Sequence, residues 1–395
     1  MLPMPAPIRA SDNGSSPTGR YLTISKVINY EINRDFSKAI LPSLHIMRKV
    51  IYDQDGLGPR DHNLYGLLVL LQAPDVELVG ITTVSGRDWS PRQTPRTLRC
   101  LEMLARPEIP VAPGAVFPLV NTAKRTALWE KFHGRLFDYA CHYLDDEEGF
   151  RTDADPFFIP ELEEGPPHIP ALRESAAAFL VRMAQENPGE LSIVSTGPLT
   201  NLALACRLDP GFPHNVNELI FVGGRFRDPG DSRHFTRGVG LGDVNFRHDP
   251  EAAHIVLQAD WNQLTCLPRD LTDRIRVSAV MHDTVARART PAGRFVRHLE
   301  YDVYAKGDAL AASLCADSSL LTGIDEMFMD VDINHGANYG STLGWMSEKR
   351  APALHGNPVR VITAIHEKIF ARRFVEWCIA PRRSGSRPSV RSRFV

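Results

Sequence analysis

The residues best suited to chemistry form one acidic run, DQDGLGPRDHN, at residues 53–63. It contains three carboxylates, those of Asp53, Asp55 and Asp61, and two glycines that allow a tight turn. Side chains of this kind can converge on one hard cation, because such ions prefer oxygen ligands. The run directly follows an apolar segment that predicts a buried strand at Lys49–Asp53. A cation site or an acid–base centre is therefore expected where that strand ends.

Four interpretations of this loop can be compared. An EF-hand is excluded, because Leu57 and Leu64 stand where that loop needs an oxygen ligand and a bidentate Glu. A haloacid-dehalogenase-type phosphotransferase also carries DxD after its first strand, and it would make Asp53 the nucleophile and Asp55 the acid/base. A metal site for hydrolysis is the third interpretation. A polar turn closed by Asx hydrogen bonds is the fourth, without chemistry. The loop alone leaves the last three open.

The elements that must position these residues alternate along the chain. Short apolar strands are followed by helical patterns, and this alternation predicts an α/β fold, a doubly wound, mainly parallel sheet with helices on both faces. The predicted strands are Lys49–Asp53, Glu77–Thr83, Ile109–Ala112, Leu191–Ser195 and Glu218–Val222. The predicted helices are Asn63–Gln72, Pro95–Ala105, Ala171–Gln185, Leu199–Arg207 and Pro250–Leu257. Ligands of such folds bind at the carboxyl ends of the strands, which is where the acidic run lies.

Composition limits the possible partners. The 395 residues include 45 Lys and Arg against 47 Asp and Glu, for a formal net charge of −2. A charge so near zero lacks the footprint of a nucleic-acid binder, so no nucleic-acid partner is expected. The apolar run around Leu64–Leu71 is far shorter than the roughly 18 residues of a membrane-spanning helix, so no membrane partner is expected. Six scattered cysteines with no CxxC favour reduced thiols and a cytoplasmic location.

The same composition divides the chain into three parts. Residues 1–45 begin with a stretch rich in Pro, Ser, Gly and Asn, and we expect an N-terminal extension that is partly disordered. Residues 46–380 carry the alternating elements and are expected to form the α/β domain. Residues 381–395 hold five arginines among serines, which predicts a basic, disordered tail.

Further segments decide between the interpretations of the acidic loop. They are LYGLLVLLQAPDVELVGITTVSG at 64–86, IPVAPG at 109–114, STGPLTN at 195–201, FVGG at 221–224 and GDVNFRHDPEAA at 242–253. In this order and spacing they resemble the inosine–uridine preferring nucleoside hydrolase family, over residues 47–380. GPLTN and DPEAA are specific when they occur together, and a phosphotransferase explains neither.

The resemblance implies a nucleoside hydrolase-like fold that binds one Ca²⁺ at the strand ends and cleaves the N-glycosidic bond of ribonucleosides. Asp53 and Asp55 match the opening of the family's DxDxGxDD loop. By that match Asp55 binds calcium and acts as general base, while Asp53 supports it on the substrate side. A cation lowers the pKa of a bound water, and a neighbouring carboxylate can then take its proton. The resulting attack on the anomeric carbon resembles that of an inverting glycosidase.

The resemblance also assigns roles outside the loop. Thr196 precedes GPLTN, where the family supplies a backbone carbonyl to the metal, and Asp308 matches the last calcium ligand. Asn245 matches a sugar-binding asparagine. Asp243 stands where the family usually has Glu, one methylene longer. His133, followed by glycine, resembles a pair near the base pocket.

Three positions depart from the family pattern. Its paired aspartates fall on His62 and Asn63, of which Asn63 can offer calcium a neutral oxygen and His62 would meet the ribose. Asp61 would restore one negative charge if the longer loop turns it inward. Gly307 stands where some members carry the histidine that protonates the leaving base. Candidate replacements for that acid, or for aromatic stacking on the base, are His282, Tyr301, Tyr304, Trp89 and Trp129.

Two functions therefore remain in view from the sequence. The first is Ca²⁺-dependent hydrolysis of a small-molecule ribonucleoside, or of a related N-ribosyl compound, by a homo-oligomer (dimer or tetramer by family habit). The second is a catalytically impaired relative that keeps the fold as a sugar- or nucleoside-binding module, which the departures from the pattern motivate.

Overall fold

The computed structural model describes residues 47–59, 61, 64–136, 155–226, 242–299, 307–346 and 356–380. The predicted extension at 1–45 and tail at 381–395 lie outside the described residues, as do His62 and Asn63.

The described residues form one nine-stranded sheet, in the order β3-β2-β1-β4-β5-β6-β9-β7-β8. Its strands are β1 Arg48–Gln54, β2 Val76–Thr83, β3 Val111–Ala112, β4 Leu191–Ser195, β5 Val216–Val222, β6 Leu264–Leu267, β7 Leu321–Val331, β8 Thr342–Met346 and β9 Val359–Ile365. Every pairing from β3 through β6 to β9 is parallel, while β7 pairs antiparallel with both β9 and β8. The predicted fold class, an α/β fold with a mainly parallel sheet, is confirmed.

Helices connect and cover these strands. They are α1 Tyr65–Gln72, α2 Ser90–Met103, α3 Ala123–His133, α4 Ala176–Glu186, α5 Thr200–Leu208, α6 Phe212–Asn215, α7 Val244–His248, α8 Pro250–Leu257, α9 Arg269–Thr272, α10 Ala279–Ala286, α11 Pro291–Val296, α12 Gly307–Ala316 and α13 Glu367–Ile379. Helix α2 begins earlier than the predicted Pro95, because Pro91 fits the first turn of a helix. Within the described ranges, no helix combines the length and the apolar character that crossing a membrane requires.

The two faces of the sheet are both buried, and the strand period explains how. Successive side chains of a strand point to opposite faces. In β1, Val50 and Tyr52 join one hydrophobic cluster, whereas Ile51 between them joins the other. In β4, Val194 and Ile193 divide in the same way. The sheet therefore lies between two apolar layers, as continuous apolar strands in a doubly wound fold require.

The centre of the sheet contains the point where the strand order reverses. From β1 the chain moves outward to β2 and β3, and it then returns to place β4 on the other side of β1. Such a reversal opens a crevice at the carboxyl ends of the two central strands. Asp53 lies at that end of β1, in register with Thr82 of β2 and Ser195 of β4.

Candidate functional site

Asp53 is held by a group that we call the strand-end network, consisting of Asp53, Thr82, Ser195 and Asn201. The Asp53 carboxylate is fully buried and accepts hydrogen bonds from Thr82 Oγ1 at 2.6 Å, Asn201 Nδ2 at 2.8 Å and Ser195 Oγ at 3.0 Å. Burial raises the pKa of Asp53 to about 6, although the three donors oppose that rise. With both carboxylate oxygens occupied by protein donors, Asp53 is a fixed support for the loop that follows it.

Asp55 lies two residues further along, at the floor of the crevice. Its Oδ2 accepts the backbone N–H of Arg87 at 3.1 Å. A Cβ on Gly86 would collide with that oxygen, and one on Gly197 would lie 3.0 Å from Asp55 Cβ. Burial raises the pKa of Asp55 to about 7, and the neighbouring Asp61 adds to the rise while Arg87 opposes it. Gly86 and Gly197, from two strand-end loops, therefore approach Asp55 so closely that a larger side chain at either position would contact it.

Two more carboxylates face Asp55, and the three together are called the acid cluster (Asp55, Asp61 and Asp308). Asp61 Oδ2 accepts the backbone N–H of Leu57 at 2.7 Å, which turns this carboxylate into the protein. Asp308 lies in the first turn of α12 and is 8% exposed. Burial, followed by the charge of Asp55, raises the pKa of Asp308 well above its ordinary value. Asp55 and Asp61 from one loop and the sequence-distant Asp308 therefore influence one another electrostatically.

Thr196 and Asn245 connect this cluster to the other half of the chain. The Asn245 side-chain amide donates to the backbone carbonyl of Thr196 at 3.0 Å and to that of Val222 at 2.9 Å. The Thr196 hydroxyl donates to the buried Tyr52 hydroxyl at 3.2 Å and also interacts with Asp308. Both amide hydrogens of Asn245 are thereby used by the protein, so its amide oxygen is the atom available to a ligand.

The two sequence segments that carry the resemblance contact each other directly. Thr200, in GPLTN, donates its hydroxyl hydrogen to Asp249 Oδ2 at 2.7 Å. Asp249, in DPEAA, also caps α8 by accepting the backbone N–H of Ala252 at 3.1 Å, as its position before that helix suggests. The same Oδ2 accepts the N–H of Leu119 at 2.9 Å, which fixes the loop after β3. Both motifs are parts of one packed junction beside the crevice.

Asp243 and His133 contact parts of the protein other than the acid cluster. Asp243 caps α7, because its Oδ1 accepts the backbone N–H of Asn245 at 3.0 Å, and its Oδ2 lies 3.7 Å from Arg269 Nε. His133 is the last residue of α3, and its ring lies 5.0 Å from that of Trp129. Their predicted contact with substrate stays a prediction.

Most candidates for protonating the leaving base or stacking on it already contact other protein groups. His282 Nδ1 lies 2.5 Å from the Tyr65 hydroxyl, and Trp129 Nε1 donates to the Gly336 carbonyl at 2.8 Å. Trp89 is 2% exposed and packs edge-on against Phe117. Tyr301 and Tyr304 lie outside the described residues.

Gly307, where the resemblance expects a histidine, is itself crowded. A Cβ at this position would lie 2.9 Å from Val222 Cγ1, so any larger side chain requires Val222 to move. A histidine at position 307 would therefore require Val222 to shift.

The donors around the acid cluster suit a hard divalent cation. Carboxylates of Asp55, Asp61 and Asp308 and the Thr196 carbonyl are all oxygen ligands, the kind that Ca²⁺ prefers. Among the described residues, no three His, Cys, Asp or Glu side chains already converge closely enough to form a metal site. The donor chemistry fits the cation, while Asn63, the further predicted ligand, lies outside the described residues.

Sequence reasoning missed two residues of this region, Arg87 and Asn201. Both follow a strand end closely, Arg87 four residues after β2 and Asn201 six residues after β4. That position, at the edge where ligands of such folds bind, was the available signal.

Comparison with known proteins gives consistent matches. A family profile described as inosine-uridine preferring nucleoside hydrolase matches residues 50–372. The chain is 29% identical to a probable uridine nucleosidase 2 of Arabidopsis thaliana over 257 residues, 65% of this chain and 70% of that protein. It is 25% identical to an inosine-uridine preferring nucleoside hydrolase of Crithidia fasciculata over 322 residues, 78% of this chain and 91% of the other. A solved purine-preferring ribonucleoside hydrolase from Gardnerella vaginalis shares the fold, with a TM-score of 0.64 at 21% identity, covering 84% of this chain and 98% of that one.

Proposed function

The chain belongs to the inosine-uridine preferring nucleoside hydrolase family, and from that premise we propose that it cleaves the N-glycosidic bond of ribonucleosides in a Ca²⁺-dependent reaction with Asp55 as general base. The predicted family and enzyme class are confirmed by the family match and by homologues named as nucleosidases. The single observation that carries the proposal is the mutual electrostatic influence of the acid cluster at the sheet's reversal point, where Thr196 interacts with Asp308.

The cation would be held by the acid cluster and the Thr196 carbonyl, with Asn63 as a neutral ligand. When bound, Ca²⁺ lowers the pKa of a coordinated water and so favours its deprotonation near neutral pH. Asn245 supports this assignment, because its side-chain amide donates to the Thr196 carbonyl at 3.0 Å and so holds that oxygen in place.

Asp55 is the group proposed to receive the proton of the attacking water. Asp53 does not compete for that role, because protein donors occupy both of its oxygens. The strand-end network instead fixes the backbone from which Asp55 extends, so that a general base two residues on is held at one position. Correct positioning of a general base contributes typically 10²- to 10⁴-fold to a rate.

Recognition of the ribose is proposed for Asn245, through its amide oxygen, and for Asp53 only indirectly, because protein donors occupy both of its carboxylate oxygens. Asp243 would act through water or through the helix it caps, because its carboxylate already accepts backbone N–H groups of α7. His62 and His133 complete the proposed substrate contacts.

A homo-oligomeric state and a cytoplasmic location stay predictions, and size-exclusion chromatography with light scattering tests the first.

A second candidate function is a ribonucleoside-binding module that has lost turnover. The observation that favours it is the crowded Gly307, since the standard leaving-group acid cannot be placed there without moving Val222. This alternative predicts binding of ribonucleosides without release of ribose.

The test compares wild type with Asp55→Asn for ribose release from inosine and uridine, with and without EDTA. We expect the variant to lose about 10²- to 10⁴-fold in kcat, because it lacks the base, and EDTA to abolish the wild-type rate. Asp283→Asn is the matched control, since Asp283 is exposed on α10 and loses the same charge.

Two outcomes would contradict the proposal. An Asp55→Asn rate equal to that of wild type would remove the general-base assignment. A wild-type protein that binds ribonucleosides in calorimetry at saturating Ca²⁺, yet leaves every member of a broad nucleoside panel intact, would favour the binding module.

A further inference from the structure

Arg87 places a permanent positive charge beside the acid cluster. Its backbone N–H donates to Asp55 Oδ2, and its Nη1 lies 3.7 Å from Asp61 Oδ1. A guanidinium keeps its proton at every pH at which proteins are folded, so this charge is constant.

The surrounding backbone directs Arg87 toward the cluster. Gly86, directly before it, lies so close to Asp55 that no side chain fits between them. Asp88, directly after it, is committed elsewhere, because its Oδ2 lies 2.9 Å from Arg96 Nη1. The acidic neighbour in sequence therefore pairs with Arg92 and Arg96, whereas Arg87 pairs with Asp61 of the acid cluster.

The remaining surface of Arg87 is small. Its side chain is 24% exposed and that of Asp61 is 3% exposed, so their ion pair is largely shielded from water. Shielding makes an ion pair stronger than one at the surface, where the median contribution is close to zero. A cation that approaches Asp61 must therefore compete with the guanidinium.

We propose that Arg87 is a resident counter-ion of the acid cluster, which stabilises the cluster in the metal-free protein and yields Asp61 to Ca²⁺ when the metal binds. This inference rests on the proposed function, since it takes the acid cluster to be the Ca²⁺ site. Its consequence is a trade-off: Arg87 makes the metal-free fold more stable and lowers the affinity of the site for Ca²⁺.

The experiment measures Ca²⁺ binding by isothermal titration calorimetry for wild type, Arg87→Gln and Arg87→Lys, and the melting temperature of each in EDTA. In Arg87→Gln we expect Ca²⁺ to bind at least about tenfold more tightly, because the competing charge is gone. We expect the melting temperature in EDTA to fall, because the carboxylates lose their counter-ion. Arg87→Lys keeps the charge and should stay within about threefold of wild type.

Arg99→Gln is the matched control, because Arg99 pairs with Glu102 on α2 and not with a member of the acid cluster. It removes the same charge and should leave Ca²⁺ affinity unchanged. Tighter binding is also a direction that general structural damage does not produce, so a gain of affinity confined to Arg87→Gln identifies the counter-ion role.

Three outcomes would overturn the inference. If wild type binds Ca²⁺ and Arg87→Gln binds it equally or more weakly, Arg87 is not a competitor, and the proposed function stands. If Arg87→Gln changes KM for the nucleoside while its Ca²⁺ affinity is that of wild type, Arg87 is a substrate contact instead. If no variant binds Ca²⁺, the metal dependence in the proposed function fails, and this inference fails with it.

Discussion

The strand-end network and the acid cluster lie side by side in one crevice, but they are built in opposite ways. In the network, Asp53 at the end of β1 accepts from hydroxyl donors on β2 and β4 and from an amide donor in the first turn of helix α5. In the acid cluster, Asp55 faces other carboxylates and one guanidinium, on loops and at the start of a helix. The first arrangement is complete within the protein, whereas the second keeps an excess of negative charge.

This difference separates a framework from a binding site. The three donors offset part of the cost of burying the Asp53 carboxylate, because their hydrogen bonds replace those it made with water. Buried carboxylates that face each other are costly unless a positive charge joins them. We infer that the network is optimised for stability and the acid cluster for a cation, and the predictions below test that division in order of decreasing effect.

The largest effect is expected for Asn201→Leu, which breaks the network. Asn201 donates to Asp53 and to the Thr83 carbonyl, and its Oδ1 accepts the N–H of Ala115 at 2.8 Å. Leucine has similar volume but leaves the Thr83 carbonyl and the Ala115 N–H without this partner, at about 1–3 kcal/mol each, and removes one of the three donors to Asp53. We expect the free energy of unfolding, measured with urea at pH 7, to fall by roughly 3–6 kcal/mol.

Asn217→Leu is the control for this substitution, because Asn217 is exposed on β5. Its effect should stay within about 0.5 kcal/mol, as for most surface changes. A loss in Asn201→Leu no larger than in this control would mean that the network does not carry the stability assigned to it.

A smaller effect concerns pH and His248, in the segment that carries Asn245. His248 is 1% exposed, and burial lowers its pKa to about 4, against about 6.5 in an unfolded chain. Between these values the unfolded state binds a proton that the folded state does not, so stability falls as pH falls from 6.5 to 4. The expected loss from this group is about 3 kcal/mol at most.

His248→Gln removes this contribution and leaves the other titrating groups in place. The measurement is the free energy of unfolding at pH 7 and at pH 4.5 for both proteins. The drop between the two pH values should be smaller in the variant by roughly 2–3 kcal/mol. Equal drops would show that His248 is protonated within the fold.

The contrast between the two regions also explains what the sequence could predict. Leu191–Ser195 and Pro250–Leu257 have the predicted bounds, because an apolar run and a capping Asp249 define them locally. Beyond Val222, the apolar pattern predicts no strand. Strand β7 was missed because its exposed stretch, at residues 324–326, interrupts the apolar pattern.

The site residues also divide into those that local sequence predicts and those that depend on the folded loops. Asp53 and Asp55 could be predicted, because they directly follow a clear strand in a spacing that matches a family. Arg87 could not, because its direction depends on how closely Gly86 approaches Asp55, and that approach is a property of the folded loops. Local pattern predicts strand ends well and predicts poorly which loop side chain turns inward.

The smallest effect on stability is expected for Asp61→Asn, in the acid cluster. The substitution loses the 3.7 Å ion pair with Arg87 but relieves repulsion toward Asp55, and asparagine still accepts from the Leu57 N–H. These changes offset each other, so the free energy of unfolding in EDTA should change by less than about 1 kcal/mol. Ca²⁺ affinity, measured by calorimetry, should nevertheless fall about tenfold, because one anionic ligand becomes neutral.

Asp283→Asn is the control and should change neither the free energy of unfolding nor the Ca²⁺ affinity. A large loss of stability with unchanged Ca²⁺ affinity would place Asp61 with the framework and remove the division between the two regions.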